Sequence, residues 1–301
     1  MSAADRDRVA RALALAEGGR LVCVVGPTAS GKTDLAIALA EELGGEIVSA
    51  DSVQIYRGFD IGSGKVTAEE RARAPHHLVD THDPLEAVDA ATFAALADQA
   101  IADVRARGKV PIVCGGTFFW VRALVLGLAP APPADEEVRA RHRALVASES
   151  KAALHAALAA VDPPSAARLH PNDVVRVSRA LEVFELSGKP MSAWQAEHGF
   201  RDKRHDAVLV GPEVSPEELV LRIGRRVDGW LDHGWIEEVE GLLAQGYGEA
   251  RAMTSVGYAE VKAHLAGELP REGLRDAIVQ STRIFVRRQR TWLRDAGVVW
   301  L

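Results

Sequence analysis

Short apolar segments rich in Val and Ile alternate along the chain with amphipathic stretches. The apolar segments are Leu21–Val25, Glu46–Ala50, Val110–Cys114, Ala207–Val210 and Val298–Leu301. Between them, apolar residues recur at the three-to-four-residue spacing of an amphipathic helix. Strands that alternate with helices predict a parallel sheet covered by helices on both faces. The pattern therefore indicates the α/β class.

The pattern changes between residues 130 and 199, where no convincing strand is found. Helical periodicity fills this stretch and is interrupted only at APAPPAD, VDPPS and HPND, whose Pro, Asp and Asn residues end helices. We therefore predict an α/β core made of residues 1–129 and 200–301, with an all-helical insertion domain of residues 130–199. The helices predicted in the second part of the core span Ser215–Asp232, a segment ending near Gly246, Tyr258–Ala266 and Arg271–Arg294.

Composition and charge narrow the class of protein. Of the 301 residues, 48% are hydrophobic. No apolar run approaches the roughly 20 residues that span a membrane, so we expect no membrane partner. The N-terminal sequence lacks a secretory signal, and both cysteines, Cys23 and Cys114, lie in predicted buried strands. Both features indicate reduced thiols and a cytoplasmic protein. We expect this protein to be a monomer, although neither feature determines its oligomeric state. The formal net charge of −6 argues against a nonspecific nucleic-acid coat but permits a local basic groove.

A glycine-rich loop follows the first predicted strand and opens the predicted helix Thr33–Leu43. It matches the pattern G-x-x-x-x-G-K-[ST] with Gly26, Pro27, Thr28, Ala29, Ser30, Gly31, Lys32 and Thr33. The backbone N–H groups of such a loop point at phosphate oxygens, while the helix N-terminus and the Lys32 ammonium add positive charge. The Thr33 hydroxyl is able to bind a Mg²⁺ ion that bridges two phosphates. The loop predicts a phosphate-loop NTPase-like sheet that binds a diphosphate with Mg²⁺. It does not identify the molecule to which the diphosphate belongs.

The ends of two other predicted strands qualify this prediction. Val110–Cys114 runs into Gly115–Thr117, whereas a nucleotide triphosphatase usually carries a metal-binding acid at the end of such a strand. This difference favours a reaction in which diphosphate departs intact. Glu46–Ala50 delivers Asp51 to the same sheet edge as the phosphate loop. The Asp51 carboxylate either accepts a proton from a nucleophile or caps a turn, and the spacing leaves both roles open.

Seven motifs follow one another along nearly the whole chain. They read GPTASGKT, SADSVQIYRGFDIGSGK, APHHLVD, CGGT, HPND with SRALEV, SVGY and RRQRTWLR. Together they resemble the tRNA dimethylallyltransferase family, most specifically in the combination of the phosphate loop, DSxQxY and GGT. The resemblance implies a phosphate-loop core with a helical insertion, and transfer of a prenyl group from dimethylallyl diphosphate to the exocyclic amine of the adenine beside the tRNA anticodon. That adenine must leave its stack to be reached.

The resemblance also implies roles for individual residues. Asp51 would orient the adenine amine and accept its proton, and Thr117 would donate a hydrogen bond to the oxygen that bridges carbon and phosphorus. Residues Gly26–Thr33 with Mg²⁺ would stabilise the charge on the departing diphosphate. Arg222 is a candidate diphosphate clamp, because guanidinium matches phosphate bidentately, or else part of a solvated helix face.

For tRNA itself, the resemblance points to a set of contact residues. They are Asp51, Ser52, Val53, Gln54, Arg139, Val175, Arg176, Val177, Ser178 and Arg179. The sequence departs from the family where Val175 replaces a common Gln, where the aromatic run Phe118–Trp120 follows GGT, and where GSGKV replaces GTAKP. At the first departure, the polar contact expected of the Gln is either missing or made by the backbone. The aromatic run points to a narrower prenyl channel or an altered loop.

The last predicted helix carries a basic stripe, formed by Arg283, Arg287, Arg290 and Arg294 at helical spacing. Ile278, Phe285 and Trp292 fall on another face. The stripe is either a solvated face or a contact for tRNA phosphates, and in the company of the other motifs we favour phosphate contact.

Three other functions compete with this interpretation. A small-molecule or nucleoside kinase shares the phosphate loop and predicts ATP consumption. An enzyme that prenylates free adenine nucleotides shares the chemistry but has no use for the helical insertion or the basic stripe. A noncatalytic RNA-binding protein would keep the loop only as a structural element. Loss of activity in Lys32→Ala with unchanged tRNA binding would exclude this function.

Overall fold

A computed structural model describes residues 3–200 and 203–301, with the side chains of residues 3–5 excepted. The chain forms two compact units, one that runs to Val125 and resumes at Arg204, and one that comprises Leu126–Lys203. The Arg204 backbone N–H donates to the Val125 carbonyl over 2.9 Å, which ties the two segments of the first unit together. The second unit thus contains the predicted insertion 130–199 and extends four residues beyond it at each end.

A parallel sheet forms the centre of the first unit. Its strands are β1 (Leu21–Val25), β2 (Gly45–Ser49), β3 (His76–His77), β4 (Val110–Gly115), β5 (Ala207–Gly211) and β6 (Val299–Trp300). The strand order is β3-β2-β4-β1-β5-β6, and all neighbouring pairs are parallel. The five predicted strands are confirmed to within one residue at each end. The sequence did not predict β3, because two polar histidines give no apolar run.

Helices surround this sheet and make up the second unit. In chain order they are α1 (Ala3–Ala16), α2 (Lys32–Leu43), α3 (Ala68–Arg73), α4 (Ala90–Ala106), α5 (Phe118–Leu126), α6 (Glu136–Ser148), α7 (Lys151–Val161), α8 (Pro163–Arg168), α9 (Val174–Ser187), α10 (Met191–His198), α11 (Pro216–Asp232), α12 (Trp235–Ala244), α13 (Tyr258–Leu265) and α14 (Arg271–Leu293). Two short 3₁₀ turns, Tyr247–Glu249 and Arg251–Thr254, connect α12 to α13. The predicted helices after β5 are confirmed, with ends that differ by one or two residues. The α/β class is confirmed as well.

The core of the first unit explains why its strands read as continuous apolar runs. All residues of β1 and β2 are buried, because helices cover the sheet. Val22, Ile37, Leu39 and Ile112 are each 0% exposed and belong to one apolar cluster. Burial of a side chain of this size stabilises the fold by about 1.5–3 kcal/mol. Ile112→Ala would leave a cavity in this cluster and cost about 2–5 kcal/mol.

The helical unit has a core of its own. Leu154 and Leu158 of α7 pack with Val177 and Leu181 of α9. Buried Asp162 accepts hydrogen bonds from the backbone N–H groups of Ser165 and Ser192 over 3.1 and 3.0 Å, which fixes the starts of α8 and α10. The helices break at the three segments that interrupt the sequence pattern and also at residues 149–150 and 188–190, where no break was predicted.

Both cysteines lie in buried strands of the sheet, as the sequence predicts. Cys23 and Cys114 are buried free thiols, and burial raises the pKa of each to about 12. Among the helices in the described ranges, none has the length and apolar character needed to cross a membrane.

Candidate active site

Three loops meet at the carboxyl edge of the sheet. In the sheet, β4 lies between β1 and β2. The loop that follows β4 therefore lies between the phosphate loop, which follows β1, and the loop with Asp51, which follows β2. The Ala50 N–H donates to the Cys114 carbonyl over 2.8 Å, and the Thr117 N–H donates to the Ala50 carbonyl over 3.2 Å. Gly115 permits this approach, since a Cβ there would lie 2.1 Å from the Ala50 oxygen. The prediction that these loops share one edge is confirmed.

The loops enclose a cavity of about 440 Å³. Thr28, Ala29, Gly31, Lys32 and Thr33 of the phosphate loop line it, followed by Asp51, Ser52, Val53 and Gln54 after β2 and Gly115, Gly116 and Thr117 after β4. Gly26, Pro27 and Ser30 of the loop lie behind this lining. A Cβ at Gly26 would lie 2.7 Å from the Ser30 Oγ, so a side chain at this position would displace the Ser30 hydroxyl. Gly26 and Ser30 thus shape the loop.

The phosphate loop concentrates positive charge on the cavity. Ala29 and Gly31 both have left-handed backbones, with φ values of 67° and 87°, and this conformation is costly at Ala29 because it carries a Cβ. The N-terminus of α2 begins directly after Gly31 and adds its partial positive charge. Burial lowers the pKa of Lys32, although the nearby Asp51 carboxylate opposes this effect. Within the described residues no carboxylate forms an ion pair with the Lys32 ammonium, which leaves its charge available to an anion.

Asp51 combines the two roles that the sequence left open. Its Oδ1 accepts hydrogen bonds from the backbone N–H groups of Val53 and Gln54 over 2.9 and 3.3 Å, which is a turn cap. The same residue lines the cavity beside Lys32. A carboxylate has enough lone pairs to cap the turn with one oxygen and serve a ligand with the other.

The Thr117 hydroxyl is held by the residue after Asp51. Its Oγ1 accepts from the Ser52 N–H over 3.1 Å and donates to the Ser52 Oγ over 3.2 Å. This pair fixes the distance between the loops after β2 and β4. Because a hydroxyl rotates freely about its C–O bond, the Thr117 proton can turn from Ser52 towards a ligand oxygen in the cavity.

A second wall of the cavity is the loop from Asp60 to Lys65. The Gln54 side-chain amide donates to the Ser63 and Gly64 carbonyls over 3.1 and 3.0 Å. Lys65 is 4% exposed and pairs with Asp60 and Asp80. The Lys of the divergent GSGKV motif therefore keeps a structural role that fixes this loop.

Arg222 does not reach the cavity. Its Nη1 donates to the Ser30 carbonyl over 3.3 Å and its Nε to the Glu218 carboxylate over 2.8 Å, so it supports the phosphate loop from behind. One helical turn later, Arg226 lines the cavity and lies over the Trp230 ring, 5.4 Å from its centroid. Arg226 is exposed, and no carboxylate in the described part of the chain forms an ion pair with it. Of the two arginines, Arg226 lines the cavity and Arg222 contacts the phosphate loop outside this lining, so Arg226 occupies the cavity position that the sequence interpretation gave to Arg222.

Gln289 is a site residue that the sequence did not reveal. Its Oε1 accepts from the Thr28 N–H over 2.9 Å, and its Nε2 donates to the Gly116 carbonyl over 3.0 Å. The side chain is 7% exposed and joins the phosphate loop to the loop after β4. A signal for it existed, because Gln289 occupies a position in the buried stripe of α14 between Val286 and Leu293, where an apolar residue is expected.

The aromatic run after Thr117 lies outside the cavity lining. Phe118 and Trp120 are buried, and Trp120 stacks on Phe93 with ring centroids 4.5 Å apart. Phe119 is 43% exposed. None of the three residues lines the cavity, so a narrower prenyl channel has no support in this lining, and the altered loop remains a prediction.

The predicted basic stripe of α14 is an exposed face. Arg283, Arg287, Arg290 and Arg294 are all exposed, and none forms an ion pair with another described residue. By contrast, Arg275 on the same helix binds Asp228 through both nitrogens over 2.6 and 3.0 Å. Contact of the stripe with tRNA remains a prediction.

In the helical unit, several predicted tRNA contacts serve the unit itself. Val177 is 0% exposed in its core, so the prediction of a side-chain contact there is wrong. Arg139 and Arg179 both bind the fully buried Glu182 carboxylate, over 2.9 and 2.6 Å. The Ser178 hydroxyl contacts the His142 Nδ1 over 2.8 Å.

Two members of the predicted set remain at the surface of this unit. Val175 is 80% exposed at the start of α9. Arg176 is also exposed and pairs with Asp173, the residue that caps the same helix. These two positions are the exposed members of the set, Arg139, Ser178 and Arg179 are half-buried, and Val177 is buried.

The cavity has oxygen donors of the kind that Mg²⁺ accepts. Thr33 and Asp51 both line it. No cluster of three or more His, Cys, Asp or Glu residues suited to a metal occurs among the described residues. Mg²⁺ usually binds through one or two protein oxygens together with substrate phosphates and water, so this sparse donor set fits it.

Comparisons with known proteins agree with the geometry. The family model described as IPP transferase matches residues 54–296, and the one described as Isopentenyl transferase matches residues 19–86. The chain is 66% identical over 283 residues to a tRNA dimethylallyltransferase of Sorangium cellulosum, which covers 94% of this chain and 90% of the relative. It is 53% identical to a tRNA dimethylallyltransferase of Anaeromyxobacter dehalogenans, with 94% of both chains covered.

Solved structures show the same relationship. The tRNA isopentenylpyrophosphate transferase of Bacillus halodurans matches with a TM-score of 0.69 and 38% identity, over 94% of this chain and 89% of its own. A eukaryotic dimethylallyltransferase acting on tRNA matches with a TM-score of 0.77 and 27% identity, over 93% and 73%. The resemblance found in the motifs is confirmed: the chain belongs to the IPP transferase family, which includes the tRNA dimethylallyltransferases.

Proposed function

We propose that this enzyme transfers the dimethylallyl group of dimethylallyl diphosphate to the exocyclic amine of the adenine next to the anticodon of tRNA. The observation that carries the proposal is the junction of Asp51, Thr117 and the phosphate loop around one cavity. This arrangement offers a proton acceptor, a donor to a leaving oxygen and a cationic cradle for a diphosphate. The relatives named tRNA dimethylallyltransferase support the same activity.

The cavity suits both halves of the prenyl donor. Lys32, Arg226 and the N-terminus of α2 supply positive charge for the diphosphate. Val66, Trp230, Trp235 and Phe285 contribute apolar atoms to the lining for the five-carbon group. Thr33 would hold Mg²⁺ against the phosphates, and the ion would add positive charge where the leaving group becomes more negative.

The reaction is a substitution at the first carbon of the prenyl group. The adenine nitrogen forms a bond to this carbon while the bond from carbon to the bridging oxygen breaks, and that electron pair leaves with the diphosphate. The Asp51 carboxylate orients the amine and accepts the proton it releases. The Thr117 hydroxyl donates a hydrogen bond to the bridging oxygen, and Lys32 and Arg226 neutralise the charge that accumulates on the diphosphate.

The substrate must present an unstacked adenine. An amine within a base stack cannot approach a carbon atom held inside a protein cavity, so the base must be extruded and bound within the site. A nucleotide in the anticodon loop is suited to this because loop bases pay less to unstack than paired ones. We also propose a cytoplasmic monomer, and the buried free thiols of Cys23 and Cys114 support the cytoplasmic location.

A kinase remains the alternative that shares the phosphate loop. The loop after β4 argues against it, because Gly115, Gly116 and Thr117 stand where a metal-binding acid would be expected in a triphosphatase. At this place the Thr117 hydroxyl can donate a hydrogen bond to a leaving oxygen, whereas a triphosphatase would use an acid to hold its metal ion.

The decisive test is transfer of radiolabel from dimethylallyl diphosphate with Mg²⁺ to unmodified tRNA. AMP serves as the parallel acceptor, and ATP turnover is recorded in the same samples. Label in tRNA alone supports the proposal. Label in AMP would make the enzyme one that prenylates nucleotides, and ATP consumption without transfer would make it a kinase.

A further inference from the structure

Arg226 and Trp230 of α11 form a pair in the wall of the cavity. Both side chains line it, and the Arg226 guanidinium carbon lies 5.4 Å from the centroid of the Trp230 ring. The two residues are four positions apart on one helix, so they lie on the same helical face. At this distance a guanidinium is attracted to the negative face of an aromatic ring. We refer to Arg226 and Trp230 as the cation–π pair.

The guanidinium of Arg226 is held by a ring and not by a carboxylate. Asp34 and Glu70 interact with it electrostatically, yet within the described ranges neither forms an ion pair with it. The Glu70 carboxylate instead accepts a hydrogen bond from the Thr67 N–H over 2.8 Å, in the cap of α3. A carboxylate partner would occupy N–H donors and cancel charge. The face of the Trp230 ring leaves the donors along the guanidinium edge free for a ligand.

Two neighbours fix the orientation of the Trp230 ring. One is Trp235, which is 1% exposed and meets Trp230 edge to face, with ring centroids 5.3 Å apart and an interplanar angle of 81°. The other is Gly64, where a Cβ would lie 2.9 Å from the Trp230 Cζ2 and 4.0 Å from the Arg226 Nη1. Gly64 is the residue of GSGKV that stands where GTAKP has Ala. A methyl group at this position would displace the ring.

We propose that Trp230 is a positioning residue that holds Arg226 for the diphosphate of the prenyl donor, and that Gly64 makes room for its ring. The proposal rests on the proposed function, which gives the cavity a diphosphate ligand. A free arginine side chain loses rotamer freedom when it binds an anion, and one already held by a ring loses less. The ring also limits the directions of the guanidinium edge, which binds phosphate oxygens through two parallel N–H donors.

The test is a double-mutant cycle with inorganic diphosphate and Mg²⁺ as the probe. This probe has no prenyl group, so an apolar contact between Trp230 and the donor does not contribute to its affinity. Calorimetry measures the dissociation constant for the wild type, Trp230→Leu, Trp230→Phe, Arg226→Met and Arg226→Met/Trp230→Leu. Leucine keeps apolar bulk without an aromatic face, whereas phenylalanine keeps a face. Trp300→Leu, which removes a partly exposed Trp outside the cavity lining, is the matched control.

Trp230→Leu is expected to weaken diphosphate binding on the order of 5-fold, because the cation–π contact is lost. Trp230→Phe should recover part of this loss, and Trp300→Leu should bind like the wild type. In the Arg226→Met background, Trp230→Leu should cause no further loss, because the cation it positions is absent. A similar further loss in that background would overturn the proposal, as would unchanged affinity in Trp230→Leu. Melting curves check that each variant is folded, and Trp230→Phe in both backgrounds gives the same comparison if the Leu variants are not.

A second comparison tests the role of Gly64. Gly64→Ala should weaken diphosphate binding by the wild type, because the added methyl group displaces the Trp230 ring. The same substitution should have a smaller effect in the Trp230→Leu background, where the ring is absent. Gly64 has a φ of 59°, so the strain of a Cβ in a left-handed backbone is common to both backgrounds. An equal loss in both backgrounds would overturn the role of Gly64.

Prenyl transfer from dimethylallyl diphosphate to tRNA by the wild type is recorded alongside these titrations. Transfer without coupling between Trp230 and Arg226 refutes the positioning role and leaves the proposed function standing. Coupling in diphosphate binding without transfer to tRNA supports the positioning role and refutes the proposed acceptor. Absence of diphosphate binding by the wild type would refute both.

Discussion

The cavity edge of the sheet and the helical unit both carry arginines, lysines and carboxylates, but they use them in opposite ways. In the helical unit the charges are matched: Arg139 and Arg179 bind the buried Glu182, and Glu185 binds Arg141 and His142 over 2.9 and 3.1 Å. At the cavity, Lys32 and Arg226 line a recess without an ion-pair partner among the described residues. Lys32 is half-buried and Arg226 is exposed, so both charges are open to an anionic ligand that enters the recess.

Arginine content alone therefore does not locate a nucleic-acid site. Arg139 and Arg179 matched the motif for tRNA contact, yet both are engaged by one carboxylate that is 0% exposed. The stripe on α14 matched a helical spacing and the motif RRQRTWLR, and its arginines form no ion pair with a described residue. Whether a cation is neutralised by its own fold depends on long-range packing, which local sequence does not report.

The largest expected effect separates the two roles of Asp51. Asp51→Asn keeps an oxygen that can accept from Val53 and Gln54, so the turn cap is retained, but it removes the proton acceptor. We expect single-turnover prenyl transfer to slow by on the order of 100-fold, and a similar loss in Asp51→Ala. Melting temperature serves as the control for the cap. A near-normal rate in Asp51→Asn would show that Asp51 acts through the turn alone.

Thr117→Ala is expected to slow transfer by on the order of 100-fold as well, because a donor to the leaving oxygen is removed. Thr117→Ser retains the hydroxyl and should keep most of the rate. If both variants transfer at near-normal single-turnover rates, Thr117 has no part in leaving-group departure and only ties the loops through Ser52.

Matched Arg→Met variants in the two regions test whether an arginine serves a ligand or the stability of the fold. Arg226→Met should raise KM for dimethylallyl diphosphate by on the order of 30-fold with little loss of stability, since a charged hydrogen bond contributes about 1.5–3 kcal/mol. Arg139→Met should instead lower stability by about 1–3 kcal/mol, because it leaves the Glu182 carboxylate less satisfied. Thermal melts and donor titrations of both proteins provide the measurement. A higher KM for tRNA in Arg139→Met without a change in melting would show that Arg139 serves RNA.

Gln289→Leu should have an intermediate effect. It removes both hydrogen bonds between the phosphate loop and the Gly116 loop, so we expect kcat to fall on the order of 10-fold with a smaller change in KM. Gln289→Glu is the sharper comparison, because it keeps an acceptor for the Thr28 N–H and loses the donor to Gly116. Equal kcat in all three proteins would reduce Gln289 to a packing residue.

The smallest expected effect is a shift in pH dependence. Because burial lowers the pKa of Lys32, affinity for inorganic diphosphate is full below that lowered pKa and declines as the pH rises through it. The decline should begin at a lower pH than for an exposed lysine, whose pKa is about 10.4. Calorimetric titrations from about pH 7 to about pH 10 compare the wild type with Lys32→Arg, which stays charged throughout. Parallel curves for the two proteins would contradict this effect.

Sequence reasoning was strongest where one local pattern determines one structure. The apolar run Leu21–Val25 followed by the glycine-rich loop predicted a strand, a turn and a helix, and the topology then brought Asp51 and Thr117 to the same edge. It failed where packing between distant segments decides which side chains reach the site. The register of α14 against two loops selects Gln289, and the choice between Arg222 and Arg226 depends on which side of α11 faces the cavity.

The hydrogen bond between the Thr28 N–H and the Gln289 side chain joins residues separated by 261 positions. Contacts of such sequence separation form only after a long loop has closed, which slows their appearance during folding. The phosphate loop is therefore expected to reach its final form late, after local helices and the first strand pairs. Hydrogen exchange at the Thr28 amide would report this event, and its protection should be gained only when α14 has docked on the sheet.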